Sequence, residues 1–247
     1  QFEQQPCDQG VSDGITSFDL GEASAAILSE FPSGQNLSVS FYQNEDDAYL
    51  NRNEISDPNN YSNSIPFTES LFVRVEDEQS GTCYGVGQHL LLTIHPIPSF
   101  EMEEAYVHCT DQSVSVLPLT SDGNYQYEWY DDDNQLIGND MSISIARQGS
   151  YSVVATSEHG CVSEPLFFLV NESGPPTLLP QFIQVDDDGE TGTITIMYQN
   201  GELGLGDYVF SLDDVFNTQS EGVFTDVEPG LHTLYATDVN GCGTDTI

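Results

Sequence analysis

Apolar and polar residues alternate with a period of two along much of this 247-residue chain. Ile194, Ile196 and Tyr198 fall on one side of an extended run and Thr193, Thr195 and Met197 on the other; Met141, Ile143 and Ile145 alternate with Ser142 and Ser144. Half-buried strands require that period, because successive side chains leave opposite faces of a sheet. Turn signals fall between such runs, among them Asp122-Gly123, Asp188-Gly189 and Pro229-Gly230. Only Phe18 to Phe31 departs from the pattern. There Leu20, Ala23, Ile27 and Leu28 recur at steps of three and four, which predicts one short helix. The expected fold class is all-β: tandem immunoglobulin- or fibronectin-type-III-like β-sandwiches, with a short helix in the first.

The strand pattern repeats. Gly149 to Cys161 (GSYSVVATSEHGC) aligns without a gap to Gly230 to Cys242 (GLHTLYATDVNGC), and Leu71 to Cys83 follows the same plan with one extra turn residue. Self-similarity on this scale marks tandem modules. After each cysteine a closing strand is expected: His89–Ile94, Leu166–Val170 and Gly243–Ile247. The clusters Pro96-Ile97-Pro98 and Gly174-Pro175-Pro176 read as linkers. The predicted modules are therefore 1–98, 99–173 and 174–247, the third expected to be cut within its last strand and continued in a longer protein. Trp129, the single tryptophan, sits in the alternating run Tyr125 to Tyr130. Its expected role is core packing on a central strand beside an inter-sheet disulfide.

Composition narrows the function classes. Three arginines (Arg52, Arg74, Arg147) stand against 41 Asp and Glu, a net charge of −38. Such a surface repels phosphates and anionic headgroups, so neither nucleic acid nor an anionic membrane surface is an expected partner. Thirteen Phe and twelve Tyr still supply apolar surface for a core. The first residues have neither a basic nor an apolar stretch of signal-peptide type, so an export signal is expected elsewhere. The five cysteines, at 7, 83, 109, 161 and 242, form no C-x-x-C pair and share no zinc spacing with histidine. Long-range pairing in an oxidising compartment is the reading that fits. Cys242 has no early cysteine in its own module to match Cys7 or Cys109.

Three groups of residues together resemble a known repeat. They are Cys7-Asp8 with Asp13-Gly14-Ile15-Thr16-Ser17-Phe18-Asp19-Leu20, Phe41-Tyr42-Gln43 with Asp47-Ala48, and Leu71 to Asp77 with Gly81-Thr82-Cys83. The repeat is that of very large Bacteroidetes surface proteins exported by the type IX secretion system, many of them gliding-motility adhesins. The second module is similar to the immunoglobulin- or PKD-like domain that often follows. The third, with Tyr208 to Asp213 and Val227 to Tyr235, is similar to the module that commonly precedes the gliding-motility-associated C-terminal sorting domain. The resemblance implies an extracellular place on the bacterial outer surface, disulfides Cys7–Cys83 and Cys109–Cys161, and a role as stalk or adhesin. The implied partners are neighbouring modules of the same polypeptide, anchoring components of the outer membrane or secretion system, and surface polysaccharide.

Candidate chemistry is sparse. Calcium (Ca2+) needs several clustered oxygens. Candidates are Asp8, Asp13 and Asp19, then Asp131-Asp132-Asp133 and Asp186-Asp187-Asp188, none of them in an EF-hand pattern. The five histidines lie outside any hydrolase or metalloprotease motif, and no phosphate loop occurs, so the chain is not expected to be an enzyme. Thr246 in Asp245-Thr246-Ile247 resembles a Bacteroidetes O-glycosylation site, and three Asn sequons (Asn36, Asn60, Asn171) also occur. The expected function is thus a non-catalytic structural and adhesive segment. Two alternatives are a carbohydrate-binding module using Tyr125, Tyr127, Trp129 and Tyr130, and accessory C-terminal modules of a secreted hydrolase.

Overall fold

A computed structural model describes every residue except Thr82, Asp188 and Asn200; of Cys83 and Tyr84 it describes the backbone alone. The chain divides into two compact units. The first comprises 1–99, 122–125 and 155–164, and the second 100–121, 126–154 and 165–247. Three modules were expected from the repeats. Residues 122–125 and 155–164 of the second expected module fall in the first unit, and the rest of that module falls in the second unit together with 174–247.

The first unit begins with β1 (Phe2–Gln4), β2 (Ser17–Phe18), α1 (Leu20–Ser29), β3 (Leu37–Tyr42), α2 (Glu45–Leu50), β4 (Tyr61–Ser62), β5 (Thr68–Asp77) and β6 (Cys83–Thr93). A four-stranded sheet in the order β1-β6-β5-β3 is parallel at β1 and antiparallel elsewhere. The alternation in β5 sends Leu71, Val73 and Val75 inward, where they meet Leu90 and Leu92 of β6. The helix lies where the periodicity places it, and Leu20, Ala23 and Ile27 join the same core. Burying a leucine or isoleucine side chain contributes about 1.5–3 kcal/mol. The short β2–β4 ladder completes this layer through Phe18 and Tyr61. One buried carboxylate, Glu69, is fully paired: it accepts from the Tyr61 hydroxyl at 2.9 Å and from the Ser64 backbone N–H and hydroxyl at 3.0 and 2.6 Å.

The second unit opens with β7 (Phe100–Glu101), β8 (Ala105–Cys109), β9 (Val114–Val116), β10 (Thr120–Ser121), β11 (Gln126–Tyr130), β12 (Leu136–Gly138), β13 (Ile143–Ile145), β14 (Gly149–Thr156) and β15 (Leu166–Ser173). A five-stranded sheet, β12-β11-β14-β15-β8, is accompanied by the ladders β7–β10 and β9–β13. Trp129 is only 1% exposed. Its ring meets Phe168 edge-on with centroids 6.0 Å apart, and its Nε1 donates to the Asp140 carbonyl at 2.8 Å.

The remainder of this unit holds β16 (Ile183–Asp187), β17 (Gly192–Ile196), β18 (Tyr208–Leu212), β19 (Val223–Val227), β20 (Leu234–Asp238) and β21 (Thr244–Thr246). They form two three-stranded sheets, β16-β17-β19 and β18-β20-β21, around Ile196, Phe210, Leu234 and Ala236. Among the described residues the architecture is all-β apart from α1, α2 and the short 3-10 turns Pro58–Asn60 and Pro180–Phe182.

Candidate functional site

The chemistry that distinguishes this chain is its pair of disulfides. Cys7 follows β1 and runs beside the end of β6: the Asp8 N–H donates to the His95 carbonyl at 2.8 Å, and the His95 N–H to the Pro6 carbonyl at 3.0 Å. Its sulfur is bonded to Cys161, with Cα atoms 5.4 Å apart. Cys161 sits on the turn between β14 and β15. That turn is closed by Ser157 N–H to Cys161 O at 2.8 Å, by the Ser157 hydroxyl accepting from Cys161 N–H, and by Gly160 at φ +80°. A non-glycine residue would be strained there. Cys161 is fully buried, and the rings of His95 and His159 stack 3.7 Å apart alongside the bond. Burial, and then the neighbouring His159, hold the His95 ring below the ordinary histidine pKa.

The second bond joins Cys109 to Cys242, Cα atoms 5.3 Å apart. Cys109 ends β8, in parallel register with Ser173 at the end of β15. The buried carboxylate of Asp238 organises the facing turn. It accepts from the Ser173 hydroxyl at 2.7 Å, from Asn240 N–H at 2.9 Å and from Cys242 N–H at 3.1 Å. The segment Gly174-Pro175-Pro176, expected as a linker, is held from several sides. Tyr208 donates its hydroxyl to the Gly174 carbonyl, Thr177 N–H donates to the Leu203 carbonyl, and Leu178 N–H donates to Asp245 Oδ2. Gly204, at φ +141°, lets this happen, since a Cβ there would lie 2.4 Å from the Tyr208 hydroxyl oxygen.

These pairings correct the expected Cys7–Cys83 and Cys109–Cys161. Strand length explains why. Cys7 bridges to His95, just past the end of β6, whereas Cys83 begins that eleven-residue strand. At roughly 3.3 Å per residue the two ends of β6 lie about 33 Å apart, while a disulfide needs Cα atoms within about 7 Å. Likewise Cys109 is registered with Ser173, the far end of β15 from the turn that carries Cys161. Cys242, left without a partner by the sequence reading, bonds Cys109. The Cys83 side chain lies outside the described residues.

The candidate calcium ligands are engaged in backbone capping. Asp8 accepts from the N–H groups of Gly14 and Gln9, at 2.7 and 2.9 Å, and Asp13 from Ile15 at 3.0 Å. Asp19 caps α1 through Gly21 N–H at 2.8 Å. Asp131 closes its turn by accepting from Asp133 and Gln135 N–H, and Asp187 accepts from Gly189 N–H. Asp188 lies outside the described residues. Among the described residues no three or more His, Cys, Asp or Glu side chains gather as a metal-binding group. Thr246 lies exposed on β21, beside a half-buried Asp245. Of the aromatic run, Tyr127 and Trp129 are buried at 3% and 1%, which removes them from any sugar-stacking platform.

An open apolar cleft of about 450 Å³ lies at one end of the two three-stranded sheets, lined by Ile183, Val185, Ile194, Leu212, Leu234 and Ile247 among others. His232 stands at its rim, Nδ1 2.6 Å from Asp213 Oδ2 and Nε2 2.7 Å from the Glu228 carbonyl.

Residues 3–98 match the family model described as the Flavobacterium inter-domain disulphide bond domain. The matched stretch contains Cys7, whose bond to Cys161 leaves it. No curated protein matches the chain. Among solved structures, domains 3–5 of the Drosophila OTK extracellular region align over all of this chain and 92% of that one, at 10% identity and a TM-score of 0.36. The FN1–FN3 domains of chicken CNTN1 align over 86% and 88%, at 11% and 0.37. The fibronectin(III)-like modules of Clostridium thermocellum CbhA align over 57% and 80%, at 15% and 0.33. Likeness at this level adds nothing to what the sheets themselves show.

Proposed function

We propose that this chain is a stalk or base segment of a large secreted surface protein of a Bacteroidetes bacterium, a non-catalytic spacer that carries an adhesive or sorting region elsewhere in the polypeptide. The observation that carries the reading is the pair of disulfides, each joining a cysteine near the start of one repeat to the closing turn of the next. Such bonds persist in oxidising compartments and are rare in a reducing cytosol. They hold successive modules together where a spacer would otherwise flex at its linkers. The net charge of −38 supports the same reading, since mutual repulsion keeps a crowded surface array soluble and unaggregated. Residues 3–98 add a match to a family described by its inter-domain disulfide. Export by the type IX route and a part in gliding adhesion follow from the resemblance of the repeats.

The test is surface labelling of intact producing cells with an antibody to this segment, paired with thiol alkylation before lysis. Labelling of unbroken cells, with Cys7, Cys109, Cys161 and Cys242 protected from alkylation, is expected. Protein found only after lysis, with those four thiols free, would contradict the proposal.

A further inference from the structure

We propose that the two disulfides make this chain a length-limited tether, in which 109–161 carries the tension between the two bonds while 8–108 and 162–241 are shielded from it. The bonds overlap instead of nesting. Cys7 joins Cys161 across a separation of 154 residues and Cys109 joins Cys242 across 133, while the order along the chain is 7, 109, 161, 242. Each bonded pair is therefore a node, and three covalent strands connect the two nodes. One runs from Cys7 to Cys109, a second from Cys161 back to Cys109, and a third from Cys161 on to Cys242. Their lengths are about 102, 52 and 81 residue steps, each step spanning at most ~3.6 Å.

A network pulled from both ends goes taut on its shortest strand. Here that strand is 109–161, the segment of β9 to β14 that surrounds Trp129. While both bonds hold, 8–108 and 162–241 cannot be drawn straight, because the middle strand reaches its limit first. Tension can unravel the middle segment and peel away the edge strands β1 and β21, which lie outside the two bonds, yet the other strands of the α1-covered sheet and of the paired three-stranded sheets lie on slack strands. The disulfides thus do more than add stability: they set a ceiling on extension and choose which segment meets the load. That the protein meets tension in use rests on the stalk reading above. The covalent path rests on the two bonds alone, so protein found only after lysis but with both bonds intact would remove the stalk reading and leave the tether standing.

The experiment is single-molecule pulling on the full oxidised chain with handles at Gln1 and Ile247. The oxidised protein reaches its limit at about 63 residue steps, or ~230 Å of contour. Cys109→Ser with Cys242→Ser raises the limit to about 92 steps, or ~330 Å. Cys7→Ser with Cys161→Ser raises it to about 113 steps, or ~410 Å, and replacing all four releases about 246 steps, or ~890 Å. The limit is set by covalent connectivity, so it is readable even from a variant that does not fold. An oxidised chain extending beyond ~330 Å, or variants with unchanged limits, would overturn the proposal.

Discussion

The His232 ring is held by two oxygens. Both its nitrogens face oxygens, the Asp213 carboxylate and the Glu228 carbonyl, and the ring can donate to both at once only when it is protonated. The Asp213 contact, then the Glu228 carbonyl, raise the His232 pKa above the ordinary 6.5. His232, then the Thr233 N–H, lower the Asp213 pKa below its ordinary 3.8. The histidine contribution is complete below about 6.5 and disappears as pH rises through the raised value; the aspartate contribution is complete above about 3.8 and disappears as pH falls through the lowered one. The clasp is therefore strongest between those values. Thermal unfolding followed from about pH 6 to pH 9 should show a decline that His232→Gln flattens; equal declines in the two proteins would contradict the clasp. Trp129 offers a second test at this scale. Trp129→Ala removes a fully buried indole and its bond to Asp140, and should cost about 3–5 kcal/mol in urea unfolding followed by circular dichroism. A cost below about 1 kcal/mol would mean the ring is not a core residue.

At the scale of elements, α1 was legible and α2 was not. The first helix shows itself through Leu20, Ala23 and Ile27 at helical spacing, with Asp19 as its cap. The second spans only Glu45–Leu50 and buries just Asp47 and Ala48, too few positions to reveal a period. Its signal is at its ends: Asn44 caps it by accepting from Asp47 N–H, acidic residues fill the first turn, and Asn51 closes it at φ +49°. The acidic residues read as calcium candidates make the same kind of contact, since a carboxylate near a turn, whether exposed like Asp19 or buried like Asp8, accepts from a free N–H. Asp19→Ala should lower stability by about 1 kcal/mol, and Asp19→Asn by a few tenths, because asparagine keeps the capping oxygen. Chemical denaturation of the two variants measures the difference, and equal losses would show that charge rather than capping is what Asp19 supplies.

For the whole molecule, the strands, turns and repeats could be read from alternation because it is a local property. The disulfide pairing could not, because it depends on which strand ends meet. Cys109 lies beside Ser173 only through the parallel β8–β15 register, a contact between residues far apart in sequence. The aligned endings at Cys161 and Cys242 were visible, but nothing in spacing says that each bonds the opening cysteine of the preceding repeat. The surface charge acts on the same scale. Arg52 and Arg147 pair with Asp47 and Asp132 at 2.6 and 3.8 Å, and Arg74 pairs with Glu76; three arginines stand against 41 carboxylates, so negative charge dominates the surface. Added salt screens their repulsion, so Tm should climb between about 10 mM and 0.5 M NaCl, and a flat Tm would contradict that. Loops of this size put each disulfide at about 5 kcal/mol in a chain-entropy account, enough to decide whether the modules hold. Both the staple and the tether depend on the disulfide pairing, which peptide mapping of the unreduced protein from its producing cells reads out. Linked peptides Cys7–Cys161 and Cys109–Cys242 are expected. Recovery of Cys7–Cys83 and Cys109–Cys161 would instead confine each bond to one module and remove both the staple and the tether.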